Sequence, residues 1–174
     1  MKSWAVFKTA DGWIGVLASE EGISRLTLPQ STAHQAQAML GGAVAEAVYS
    51  SDQFTELGRR LAACLQGSPA SFPEKLNLRE ATPFRRRVWK LTRQIPRGET
   101  RSYGWVARKV GRPGAARAVG GALAANPIPI IVPCHRVVGA DGKPGGYAGG
   151  AAMKKRLLRR EADAVRRELP ATAP

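Results

Sequence analysis

The chain has 174 residues, with 27 Lys and Arg against 13 Asp and Glu and a formal charge of +14. At 44% hydrophobic and 23% charged it has a globular composition, which excludes disordered and collagen-like classes, and no apolar run approaches the ~20 residues of a membrane span. Two cysteines and two histidines are too few for a disulfide-dense scaffold or a closed zinc site, so no metal is expected.

The N-terminus MKSWAVFKTADGW has no apolar signal core, and the expected place is the cytoplasm. Residues 4–7, 13–18 and 23–28 are short apolar-rich runs. The turn pairs Asp11-Gly12 and Glu21-Gly22 separate them, which predicts an antiparallel meander. Residues 32–47 and 51–66, rich in Ala, Gln, Glu and Leu, predict two helices, the second stopped by Gly67-Ser68-Pro69. Cys64 lies on that second helix and reads as a small buried residue rather than a nucleophile. Residues 67–82 read as a linker.

Thr82-Pro83 looks like an N-cap followed by proline at the first helical position. The predicted helix 83–94 puts Phe84, Val88, Leu91 and Ile95 on one face and Arg85, Arg86, Arg87, Lys90 and Arg93 on the other. Ser102 caps a second helix, Gly111-Arg112-Pro113-Gly114 breaks it, and 115–126 follows as a helix of very small residues. The pattern is that of a helix-turn-helix. The second helix offers Arg117 but no row of base-reading side chains. Its small residues let the backbone approach another surface, either a packed neighbour or a DNA groove read by shape.

Asn126-Pro127 ends that helix. IPIIV, 128–132, predicts a short buried strand that delivers Cys134 into a turn, with His135 and Arg136 beside it. Basic surroundings of this kind favour the thiolate. Neighbours in an extended chain point opposite ways, so adjacency alone does not make a Cys–His pair. Residues 137–150 form a glycine-rich loop without a phosphate-loop pattern. A last helix, 151–168, is given the apolar stripe Leu158, Ala162, Val165 and Leu169.

Residues 1–73 hold five Lys/Arg and six Asp/Glu, a net of −1, whereas residues 74–174 hold 22 and seven, a net of +15. The asymmetry predicts a supporting domain over 1–73 and a polyanion-binding domain over 74–174. A merely solubilising basic surface is the bland alternative.

The run RAVGGALAANPIPIIVPCHRVVGADGKPGGYAGG closely resembles the O6-alkylguanine-DNA alkyltransferases, also called methylated-DNA–protein-cysteine methyltransferases. IPRGETRSYGWVA upstream and KKRLLRRE downstream match the same family in order and spacing. The resemblance is strong over about 82–161 and weaker before it. It implies an α+β fold: a small N-terminal α/β domain with an antiparallel sheet, then a mostly helical, winged-helix-like domain that binds DNA.

The resemblance also implies roles. Cys134 would take the alkyl group from guanine, backed by a chain through water to His135 and Glu161. Asn126 would brace the turn between recognition helix and active-site segment, and Tyr103 would compensate charge on the departing ring. Arg117 would fill the gap left by the flipped nucleotide, with Tyr103, Ala115, Ala116, Gly120 and Ala124 on the same DNA-facing surface. Pro129 and Tyr147 would wall the alkyl pocket, and the backbone of Cys134, Val137 and Ala148 would meet the base edge. Lys154 would hold the loop region. Ala148 stands where some relatives have serine, and the zinc ligands some relatives carry in the first domain are absent.

The expected partner is duplex DNA carrying O6-alkylguanine, and nonspecific DNA besides, met by a monomer that could line up cooperatively. No membrane and no cofactor are implied. Thioether formation leaves no carbonyl for water to attack, so one turnover per molecule is expected. Three rivals make different demands. A non-catalytic alkylation-damage sensor would lack the cysteine. A transcription regulator would need base-reading side chains on 115–126. A Cys–His hydrolase would turn over without DNA.

Overall fold

The computed structural model describes residues 1–169. The chain opens with β1 (Lys2–Thr9), β2 (Gly12–Ser19) and β3 (Gly22–Leu26), the meander that the apolar runs and their turn pairs predict. Strands β1 and β2 pair antiparallel over their full length, from Lys2 opposite Ser19 to Thr9 opposite Gly12. The sheet is not purely antiparallel. A two-residue strand β4 (Val48–Tyr49) adds to the free edge of β1 in parallel, giving the order β3-β2-β1-β4. A short return strand needs a crossover, and the chain between supplies it.

That crossover replaces the long helix expected over 32–47. Helix α1 covers only Ala33–Met39, opened by a capping box between Thr32 and Gln35. Gly41, at φ 80°, then turns the chain into a 3-10 segment, Gly42–Glu46, on the way to β4. Similarly, 51–66 begins as a 3-10 turn and becomes α2 (Thr55–Leu65). The expected linker is partly docked: the Leu76 segment bridges to Ile23 in parallel, with Asn77 N–H donating to Ile23 O at 2.8 Å.

Helix α3 (Pro83–Thr92) starts where Thr82 caps Arg85 N–H. Helices α4 (Tyr103–Lys109) and α5 (Ala116–Ala124) form the helix-turn-helix, and Ser102 caps Trp105 N–H at 3.1 Å. A two-stranded parallel pair, β5 (Arg101–Ser102) with β6 (Val137–Val138), ties the start of α4 to the segment after Cys134. Val88, Trp89, Ile95, Val106, Val119 and Val132 build the core under these helices. Trp89, a residue outside the predicted apolar face of α3, is 3% exposed and locks that helix to α5 by donating its indole N–H to Ala122 O at 2.8 Å.

Two further expectations are corrected. Residues 128–132 are not a strand. They fold as tight turns with one bridge, Pro129 to Val132, and Ile130 sits at φ 75°. That conformation is strained for a β-branched residue. Burial holds it: Ile128, Ile130 and Ile131 enter the core beneath the first sheet, while Val132 and Cys134 enter the second. The segment is shared by both halves of the molecule, so the position of Cys134 is fixed from two sides. On α6 (Gly150–Glu168) the buried face is Met153, Lys154, Leu157, Glu161 and Ala164 rather than the predicted stripe, and Leu169 is exposed. Two charged residues occupy core positions there, so hydrophobicity alone misplaces the face by about one residue.

Candidate active site

Pro133 sets the geometry of the cysteine. Its φ of −78° and ψ of 64°, with Cys134 N–H donating to Val132 O at 2.7 Å, are those of an inverse γ-turn. Cys134 thus heads a 3-10 turn, Cys134–Arg136, and does not end a strand. It is buried, and Asn126 reaches it from the end of α5. The Asn126 amide donates to Val132 O at 2.9 Å and to Cys134 Sγ at 3.3 Å, while its oxygen accepts Ile128 N–H at 3.0 Å. One side chain therefore braces the turn and touches the sulfur.

Burial pushes the Cys134 thiol above its ordinary value, against the Asn126 hydrogen bond and the nearby charge of Lys154, which both lower it. The expectation of a resting thiolate is thus corrected. Arg136, its neighbour but one, is engaged by Glu161, and desolvation dominates. A base must take the proton when the group reacts.

Behind the cysteine lies a buried polar cluster. His135 and Glu161 are 1% and 2% exposed, and His135 Nε2 meets Glu161 Oε1 at 2.8 Å. Burial alone would raise the Glu161 carboxyl. Hydrogen bonds from His135 and Arg136 overcome it and hold the group at about 2. Arg136 lies along the carboxylate, with Nη2 2.9 Å from Oε1 and Nε 3.1 Å from Oε2, and Gly98 N–H donates to Oε2 at 3.2 Å. His135 Nδ1 is buried with no hydrogen-bond partner among the described residues.

Lys154 is wholly buried, with Nζ 2.6 Å from Val137 O and 3.5 Å from the Tyr103 hydroxyl. Burial lowers the lysine and raises the Tyr103 phenol, so the tyrosine stays protonated. Gly145, at φ 67°, comes against that phenol: a Cβ there would lie 2.7 Å from Tyr103 Oη, so only glycine fits.

The cysteine opens onto a cleft of about 1120 Å³. Cys134, Asn126, Pro129, Tyr103, Tyr147 and Ala148 line it, and Arg117 opens into it with Ala116, Gly120 and Ala124 of α5. Ala115, Val137, His135, Glu161 and Lys154 do not line it: Ala115 precedes α5, and the others lie behind the wall. Cys64 lines a separate cavity of about 350 Å³. Burial pushes its thiol up to about 11.

Known proteins similar to this chain show its family. The family model described as the DNA-binding domain of 6-O-methylguanine DNA methyltransferase matches residues 83–163. A methylated-DNA–protein-cysteine methyltransferase from Methanosarcina acetivorans is 41% identical over 162 residues, covering 91% of this chain and 97% of that one. The chain belongs to the methylated-DNA–protein-cysteine methyltransferase family. Within it, the crystal structure of the Mycobacterium tuberculosis O6-methylguanine methyltransferase superposes with a TM-score of 0.79 at 37% identity, covering 98% of this chain and 96% of that one. The M. tuberculosis protein solved in complex with DNA superposes at 0.76 and 38%, covering 92% and 93%.

Sequence reasoning missed two features of this methyltransferase site. Arg136 stands next to the singled-out His135, yet its grip on Glu161 depends on α6 passing close by, which no spacing reveals. The other is the wall that the N-terminal half gives the cleft, where Arg25, Leu28, Gln30 and Met39 lie. Nothing in residues 1–40 marks them as facing Cys134.

Proposed function

We propose that this protein repairs DNA by moving an alkyl group from O6 of guanine onto Cys134, once per molecule. The observation that carries this reading is the placement of a braced thiol at a cleft lined by α5 of a helix-turn-helix, with a buried His–Glu pair behind it.

The duplex lies against α5, whose small residues allow close approach, and the damaged nucleotide turns out of the stack into the cleft. Arg117 enters the space it leaves. His135 Nδ1 takes the thiol proton through a bridging water. The ionised Glu161, held by Arg136, stabilises the imidazolium through Nε2. The sulfur attacks the alkyl carbon, the carbon–O6 bond breaks, a thioether forms, and guanine leaves with the electron pair. The protonated Tyr103 hydroxyl faces that developing charge. The proton lost by the thiol finally resides on guanine, so the step balances without a cofactor. Pro129, Tyr147 and the Ala148 backbone shape the pocket, Val137 holds Lys154 through its carbonyl, and Ala115 sets the start of α5.

Residues 1–73 serve chiefly as the supporting part, and residues 74–174 carry the main DNA-binding surface. We place the protein in the cytoplasm, where it meets DNA; among the described residues no helix is long and apolar enough to cross a membrane.

The test separates the two thiols. Cys134→Ala abolishes methyl transfer from duplex O6-methylguanine while duplex binding persists, and Cys64→Ala transfers at the wild-type rate. Transfer surviving in Cys134→Ala but lost in Cys64→Ala would reverse the assignment.

A further inference from the structure

We propose that Arg25 is a second contact to DNA phosphate, supplied by the N-terminal half across the cleft from Arg117. The inference rests on this cleft being the DNA-facing site, and it gives residues 1–73 a direct part in binding.

The sequence alternation of β3 would send Arg25 inward with Ile23. A bulge prevents this: Leu17 pairs with Arg25 and Ala18 with Ile23, leaving Ser24 unpaired. Ser24 then donates its hydroxyl to Leu17 O at 3.2 Å. The phase change keeps Ile23 and Leu26 buried while Arg25 is exposed. Bulges commonly re-aim a side chain in this way.

Three observations then converge. Arg25 lines the same cleft as Arg117 and Cys134. It makes no ion pair or side-chain hydrogen bond among the described residues, and neither does Arg117. Its guanidinium lies beside Gly41, where a Cβ would meet Nη1 at 3.1 Å. The backbone bond from Leu26 N–H to Pro127 O, 2.9 Å, ties the next residue to the segment that carries Asn126. Two uncompensated guanidinium groups from separate halves of the chain thus flank one opening. Their mutual repulsion is relieved by an anion between them, and a phosphodiester strand entering the cleft is such an anion.

The experiment measures affinity for duplex DNA containing O6-methylguanine over a salt series, with transfer from free O6-benzylguanine in parallel. Wild type, Arg25→Ala, Arg25→Lys and Arg117→Ala are compared, each checked by thermal melting. Arg25→Ala is expected to lose about three- to tenfold in duplex affinity and to lower the slope of log affinity against log salt by about one, with Arg25→Lys restoring the slope. The duplex loss exceeds any loss with the free base. Unchanged affinity and slope in Arg25→Ala, with Arg117→Ala impaired, would overturn the Arg25 contact and leave the function standing. Equal losses with duplex and free base would also overturn it, because a phosphate contact cannot act on a free base. If wild-type binding is independent of salt and neither arginine matters, the reading of the cleft itself falls.

Discussion

Glu161 is a carboxylate buried in the interior of the protein. Three donors surround it: His135, Arg136 and the Gly98 N–H. With its folded value at about 2, against ~4.3 for an unperturbed glutamate, it stays ionised through any neutral-pH proton transfer. The linkage has a definite sign. A depressed carboxylate contributes stability that is complete above the unfolded value and is lost as pH falls toward the folded one. The melting-temperature gap between wild type and Glu161→Gln therefore narrows between about pH 5 and pH 2. A gap that stays constant over that range would contradict the assignment. The family resemblance implied the pair, but the clamp by Arg136 was not readable, since it depends on α6 passing close to the turn.

Among the elements, α5 departs furthest from the usual balance of propensity and packing. It carries Gly120 and Gly121 in its interior, each costing about 1 kcal/mol against alanine. Gly121 has no neighbour within 4 Å of an added Cβ, and at Gly120 the first contact is Tyr103 Cε1 at 3.9 Å. Packing therefore does not demand either glycine, so the close-packing explanation for the small residues fails at these two positions. On the proposed function, they preserve access by DNA. Gly120→Leu should fold at least as stably, gaining up to about 1 kcal/mol of helix propensity, yet bind duplex about tenfold more weakly. A melting curve with a binding isotherm reads both, and undiminished binding would count against α5 as the DNA face. The helices around α5 were readable because Thr82, Ser102 and the Gly-Pro break carry local signals. Residues 128–132 were not, because an apolar run has the same composition whether extended or coiled, and the positive φ of Ile130 is imposed by the two cores it joins. The stripe on α6 failed for a related reason, as Lys154 and Glu161 are buried through polar contacts to Val137 O and to His135 and Arg136.

At the scale of the whole molecule, charge and core divide the chain differently. The basic excess lies entirely beyond residue 73. The first core, however, takes in Ile128, Ile130, Ile131, Met153 and Leu157 together with the N-terminal strands. The side chain of Asp11, in the β1–β2 turn, adds a polar tie to Arg160 of α6 at 2.8 Å. The N-terminal half is thus part of the frame that holds the catalytic segment. The +14 charge makes duplex association strongly dependent on counterion release, so affinity should fall by about tenfold or more between ~50 and ~200 mM salt. A flat response would remove the basic surface from the binding step.

The most direct measurement is the intact mass of the protein after mixing with duplex DNA that contains O6-methylguanine, followed by peptide mapping. One added methyl group per chain, located on Cys134 and not increasing with excess substrate, is the predicted result. An unchanged mass accompanied by tight binding to the damaged duplex, or a methyl group on Cys64, would contradict it.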